Sequence, residues 1–200
     1  MTSYGLLIFD GADELDFTGP WEVFAVSSIL RGGADTSALI SERTDAVECQ
    51  KGMRVLPGHT LENHPPLDVL VVPGGAGVMQ AKESPAITEW IRKTSANTAW
   101  TASVSTGMFL LHASGLLQGR RATTHHAYLE RMRALGDVTV VPDVRYVVDG
   151  GLITSQGISA GIDMALWIVG QLHGPEHARE VQWRLQYYPA PPYQAEEPRI

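Results

Sequence analysis

Residues 67–72 read Leu-Asp-Val-Leu-Val-Val, apolar at all but one position, and stop abruptly at Pro73-Gly74-Gly75-Ala76-Gly77. Residues 4–9, Tyr-Gly-Leu-Leu-Ile-Phe, do the same and end at Asp10-Gly11. A strand that must hide both faces belongs in the middle of a parallel sheet with helices above and below it. A third run, residues 99–104, passes without a break through Ser105-Thr106-Gly107 into the helix-forming Met108-Phe109-Leu110-Leu111-His112-Ala113. A strand-to-helix turn of this kind lifts one small side chain above the sheet and aims backbone N–H groups at it.

The rest of the chain supplies the covering helices. Thr18-Gly19-Pro20 predicts the start of a helix that carries Trp21, Phe24, Ala25 and Ile29 and ends at Gly32-Gly33. Residues 36–40 predict a strand, residues 47–56 a small hairpin or excursion, and residues 85–96 a helix with proline in its first turn. Strands follow at 138–141, 146–148 and 152–153, the last two joined by Asp149-Gly150-Gly151. Helices are predicted at 162–172 and about 175–185. Alternating strands and helices predict an α/β fold, a mostly parallel sheet covered on both faces, as one domain over residues 1–200 without repeats or linkers. From 185 to 200 the chain reads as an extended tail, because Pro189, Pro191 and Pro192 remove donors and fix φ. Its aromatic residues either pack against a cleft or a partner subunit, or merely pin the terminus.

A 44% hydrophobic and 18% charged chain of 200 residues can bury a core of this kind. Its net charge of −7 argues against nucleic acid or an anionic membrane as partner. Neither a long apolar run nor a basic-plus-apolar leader is seen, which predicts a cytoplasmic protein. Cys49 is the single cysteine, so no intrachain disulfide forms. It lies in the polar stretch Glu48-Cys49-Gln50-Lys51 and reads as a bystander.

Three segments are expected to meet at the carboxyl ends of the strands, where open α/β sheets bind ligands. They are a loop with Asp13, Glu14 and Asp16, the turn Pro73-Gly74-Gly75, and Ser105-Thr106. The backbone N–H groups of Gly75 and Thr106 suit an anion-stabilising hole. Asp16, between Leu15 and Phe17, reads either as a cap for the helix near Gly19-Pro20 or as a carboxyl in a partly desolvated cleft, where burial raises its pKa. Of the adjacent His125 and His126, one at most faces the site, as a base or an orienting group. The other histidines lack metal-ligand spacing, and the glycine turn lacks the lysine and spacing of a nucleotide loop, so no metal or cofactor is expected.

These residues resemble the ThiJ/PfpI superfamily, and within it the isonitrile (isocyanide) hydratases. The resemblance rests on Leu15-Asp16-Phe17-Thr18-Gly19-Pro20, Leu67-Asp68-Val69 with Pro73-Gly74-Gly75, Ser103-Val104-Ser105-Thr106-Gly107 and Gly115–His125, with Gly157–Asp163 and Gln186–Tyr193 further on. It implies a flavodoxin-like sandwich, a homodimer with the cleft near the subunit interface, and a small-molecule substrate, either an isocyanide or a small carbonyl compound. In such hydratases an elbow cysteine attacks the terminal carbon of R–N≡C, an acid assists proton transfer to that carbon, and water releases an N-substituted formamide. Carried onto this chain, the nucleophile position is Ser105, the acid is Asp16, and Gly75 and Thr106 supply the anion-stabilising backbone. His125 matches a histidine common in the wider superfamily.

Ser105 departs from the pattern, since the family nucleophile is cysteine. The serine is either an introduced replacement or a natural variation that leaves a binding protein or altered chemistry. Two rival readings are a glyoxalase or deglycase acting on methylglyoxal-like aldehydes, and a non-catalytic sensing domain like those of AraC-type regulators. The latter continue into a helix-turn-helix, whereas this chain reads to Ile200. An amidase or protease is a fourth, weaker reading.

Overall fold

In the computed structural model, which describes residues 1–189, strand β1 (Ser3–Leu7) lies near the middle of a seven-stranded sheet. The chain continues through α1 (Glu14–Leu30), β2 (Thr36–Ser41), β3 (Val47–Glu48), β4 (Arg54–Val55), β5 (His59–Thr60), β6 (Val69–Val72), α2 (Val78–Ala81) and α3 (Pro85–Ser95). Next come β7 (Trp100–Val104), a short 3₁₀ turn (Ser105–Gly107), α4 (Met108–Ala113), β8 (Arg121–Ala122), α5 (Leu129–Arg133) and β9 (Thr139–Val140). The hairpin β10 (Tyr146–Asp149) and β11 (Leu152–Ser155) precedes α6 (Ala160–His173) and α7 (Pro175–Arg184). The sheet order is β10-β11-β7-β6-β1-β2-β5, parallel throughout except for the β10–β11 pair at one edge. This is the α/β arrangement expected from the run of strands and helices.

Side-chain alternation along the central strands divides the core in two. Leu7, Leu70 and Val72 face one way and pack with Ile87 and Ile91 of α3 and Met108–Leu111 of α4. Tyr4, Leu6, Val69 and Val71 face the other and pack with Phe17, Val23 and Phe24 of α1 and Met164, Ala165 and Ile168 of α6. A strand buried on both faces has no solvent side to mark with polar residues, which is why these runs are continuous rather than alternating. Each fully buried aliphatic or aromatic side chain contributes about 1.5–3 kcal/mol.

The first helix departs from the sequence reading. It begins at Glu14, capped by Asp13, whose Oδ1 accepts the Leu15 N–H at 3.3 Å, and Pro20 lies inside it. Proline was expected at the start because it lacks an N–H and fits the first turn. Here the Asp13 cap one turn and more upstream nucleates the helix, and Thr18 donates its hydroxyl back to the Glu14 carbonyl (2.8 Å) instead of capping. Asp13, Glu14 and Asp16 therefore belong to a cap and a first turn and not to a free loop. Elsewhere the agreement is close. Ser84 caps α3 with Pro85 in its first turn, and residues 47–56 do form the small β3–β4 hairpin. Strand β9 pairs with β8 in a small separate sheet.

The tail is described only to Pro189; the remaining residues 190–200 of the expected extended segment lie outside the described residues. At its beginning, Tyr187 packs into a groove beside Trp167 and Gln182, and its hydroxyl approaches Asp163 at 3.4 Å. Among the described residues no helix is long and apolar enough to cross a membrane.

Candidate active site

Between β6 and β1 the order of strands reverses direction along the chain, and the loops at their carboxyl ends enclose a crevice. The turn after β6 packs against α1 through its glycines. The Asp13 N–H donates to the Gly74 carbonyl at 2.9 Å, and the Gly74 N–H donates to Asp16 Oδ2 at 2.8 Å. Gly75 has φ +124, a conformation side chains rarely adopt. At Gly74 the restriction is steric: a Cβ there would fall 2.7 Å from Thr106 N and 2.8 Å from Asp16 Oδ2. Gly74 is thus wedged between the acid and the elbow. Gly74→Ala is expected to destabilise the protein by about 1–3 kcal/mol in chemical denaturation, because the Thr106 backbone on one side and the buried Asp16 carboxyl on the other must move. Undiminished stability would mean that the two loops separate freely.

Asp16 is fully buried, on the inner face of the first turn of α1. Burial pushes its carboxyl up to about 7, against the opposing pull of the Gly74 N–H; the neighbouring Asp13 raises it further. Oδ1 is buried and has no hydrogen-bond partner among the described residues. The carboxyl accordingly keeps its proton up to about pH 7, far above the usual carboxylate range, and has one oxygen free to exchange it.

Ser105 sits where β7 runs into the 3₁₀ turn and α4, with φ +56. That left-handed conformation costs a non-glycine residue about 1–2 kcal/mol and aims the side chain out of the strand line. The neighbouring Thr106 accepts the Gly75 N–H on Oγ1 at 3.0 Å. A ligand anion would have to displace this bond to use the Gly75 N–H. The Thr106 backbone nitrogen borders the same narrow space, 2.7 Å from where a Cβ on Gly74 would fall.

His125 is half-buried and His126 exposed, with their rings 4.4 Å apart. His125 lies against Gly157, where a Cβ would meet its Cδ2 at 2.4 Å. Its Nδ1 accepts the Ala127 N–H at 3.2 Å, capping the turn His126–Tyr128. Burial holds its pKa below the usual histidine range, so at neutral pH it presents Nε2–H, a donor and not a base. Among the described residues neither His125 nor Asp16 is hydrogen-bonded to the Ser105 hydroxyl. The arrangement is an acid beside an elbow and not a serine–histidine dyad.

The sequence profile of the DJ-1/PfpI family matches residues 4–171. The chain belongs to the DJ-1/PfpI family. Among its DJ-1/PfpI relatives, the isonitrile hydratase of Pseudomonas putida is 40% identical over 194 residues, 97% of this chain and 82% of that protein. The Parkinson disease protein 7 homolog of Danio rerio is 30% identical over 181 residues, 88% of this chain and 93% of that one. The crystal structure of a ThiJ/PfpI family protein from Pseudomonas syringae superposes with a TM-score of 0.89 at 27% identity, covering 98% of this chain and 79% of that chain. The family resemblance read from the motifs, and the flavodoxin-like α/β fold it implied, both hold.

The DJ-1/PfpI crevice of this chain also draws on residues that sequence reasoning passed over. The β3–β4 hairpin folds over the start of α1. The Gln50 side chain accepts the Ala76 N–H at 2.7 Å, the Gln50 N–H donates to the Ala12 carbonyl at 2.8 Å, and the Lys51 N–H donates to Glu14 Oε1 at 2.7 Å. The Lys51 ammonium pairs with Asp13 and lies 3.7 Å from Glu14. Lys51 is more than half exposed, so these charge contacts hold the entrance weakly. Cys49, from the same hairpin, is buried in the core with its thiol pushed up to about 11 by burial and nearby carboxylates, which suits an inert packing residue.

Proposed function

We propose that the protein is an isonitrile-hydratase-like enzyme, converting R–N≡C and water into R–NH–CHO, with Ser105 at the nucleophile position. The observation that carries this reading is Asp16: a buried carboxyl, raised to about 7, with an unpartnered oxygen beside the elbow. An isocyanide carbon needs a proton as well as a nucleophile, and a buried carboxyl that keeps its proton up to about pH 7 can supply it. The 40% identity to the Pseudomonas putida isonitrile hydratase over nearly the whole chain supports the same reading.

In this mechanism the Asp16 carboxyl gives its proton to the terminal carbon as Ser105 Oγ bonds to that carbon. The hydroxyl proton passes to Asp16, which restores the acid and leaves a Ser105–O–CH=N–R formimidate. Water then adds to the carbon and a proton goes to nitrogen. The carbon–Oγ bond breaks, the formamide leaves, and Ser105 recovers its hydroxyl. The Thr106 N–H faces the charge that develops at the elbow. The working unit is read as a homodimer, checked by light scattering on the purified protein.

The test is formamide production from para-nitrophenyl isocyanide by the chain as it stands and by Ser105→Cys. Activity in either supports hydration at this site. Silence from both, with turnover of methylglyoxal, would replace this reading by the aldehyde-processing one.

A further inference from the structure

We propose that Thr124 is a positioning residue that fixes the direction of the Ser105–Thr106 peptide, and with it the Thr106 N–H that faces the crevice. The inference rests on the reading of residue 105 as the reacting position. Thr124 is fully buried, and its hydroxyl donates to the Ser105 carbonyl at 2.8 Å. On the other side, the Ser105 N–H donates to the Gln156 carbonyl at 3.2 Å. The residue with φ +56 is thus held by both of its backbone polar groups. A sparsely populated conformation persists only where the surroundings over-determine it.

The direction matters because of peptide geometry. In a planar trans peptide the carbonyl and the following N–H point to opposite sides. With the Ser105 oxygen turned to Thr124, the Thr106 N–H turns away from it, to the side where Gly74 lies; a Cβ on Gly74 would sit 2.7 Å from Thr106 N. Thr124 is itself anchored. It follows β8, and the preceding Thr123 N–H donates to Thr154 Oγ1 of β11 at 2.8 Å. Its hydroxyl is spent on the carbonyl, so it acts on the chemistry through the elbow.

The experiment uses Ser105→Cys, whose thiol reports on the elbow without any substrate. The rate of iodoacetamide labelling at residue 105, resolved from Cys49 by peptide mass spectrometry, is followed against pH for Thr124→Val, Thr124→Ala and Thr124→Ser in that background. Loss of the hydroxyl frees the peptide, withdraws the Thr106 N–H and raises the labelling midpoint by about one pH unit, a tenfold loss of thiolate at a given pH. Thr124→Ser keeps the hydroxyl and keeps the midpoint. If Thr124→Val does not fold, the alanine and serine variants decide, since both lack the γ-methyl and differ only in the hydroxyl. Equal midpoints in all variants, or equal shifts in alanine and serine, overturn the proposal. A hydroxyl-dependent shift in a protein that does not hydrate isocyanides sinks the proposed function and leaves this inference standing; hydration without the shift does the reverse.

Discussion

Ser105→Cys is expected to raise the rate of formamide production from para-nitrophenyl isocyanide by on the order of 10³-fold. A serine hydroxyl is far less acidic than a thiol, and the site offers it only a poor base: His125 Nδ1 is occupied by the Ala127 N–H, and Asp16 can take the hydroxyl proton only as it gives up its own. A thiol at the same position ionises closer to neutral pH, and its thiolate is intrinsically the stronger nucleophile. The backbone needs no change to receive it, because φ +56 is set by the contacts of the Ser105 N–H and carbonyl and not by its side chain. Initial rates at matched enzyme concentration measure the effect. Equal rates would show that water attacks directly and that residue 105 is a bystander.

In that cysteine background, Asp16→Asn is expected to lower kcat/KM by roughly 10²–10⁴-fold, the usual effect of removing a positioned acid. The same change is expected to make the protein more stable in alkali. The folded carboxyl holds its proton up to about pH 7, whereas the unfolded one releases it near 3.8. Between these values the folded state binds more protons, so the stability of the unsubstituted protein falls as pH rises and levels off above about 7. Asparagine keeps an acceptor for the Gly74 N–H and does not titrate. Its advantage is absent at pH 4 and grows to at most about 4 kcal/mol at pH 8. Denaturation curves at the two pH values check this, and parallel pH profiles for the two proteins would show that Asp16 is ionised in the fold. Activity should fall above about pH 7 for the same reason, as the acid loses its proton.

The parts of this molecule that were legible in the sequence are those where one residue type serves one local need. Val69–Val72 had to be an inner strand, Pro85 behind Ser84 had to open a helix, and an apolar run ending in Ser-Thr-Gly had to turn. The start of α1 was misplaced because two valid signals competed, and the Asp13 cap prevailed over Pro20. Gly74 and Gly75 read in the sequence as a turn of close backbone approach, yet the steric reason at Gly74 appears only when α1 and β7 are brought to either side of it. The depth of Asp16 follows from that earlier helix start, which turns the carboxyl inward. Gln50, Lys51 and Thr124 were invisible for a plainer reason: each acts across 19 to 38 residues of chain, through contacts that no local pattern encodes.

The β3–β4 hairpin closes over the crevice with polar contacts at Gln50, Lys51 and Glu14, while the sheet beneath is held by two apolar layers. Bonds of that kind trade readily with water, whereas burying or exposing the apolar layers means global unfolding. The half-exposed Lys51 contacts can therefore exchange with water on their own, while Val47 and Cys49 keep the hairpin anchored in the apolar layer beneath, so that Asp16 and the elbow stay in register.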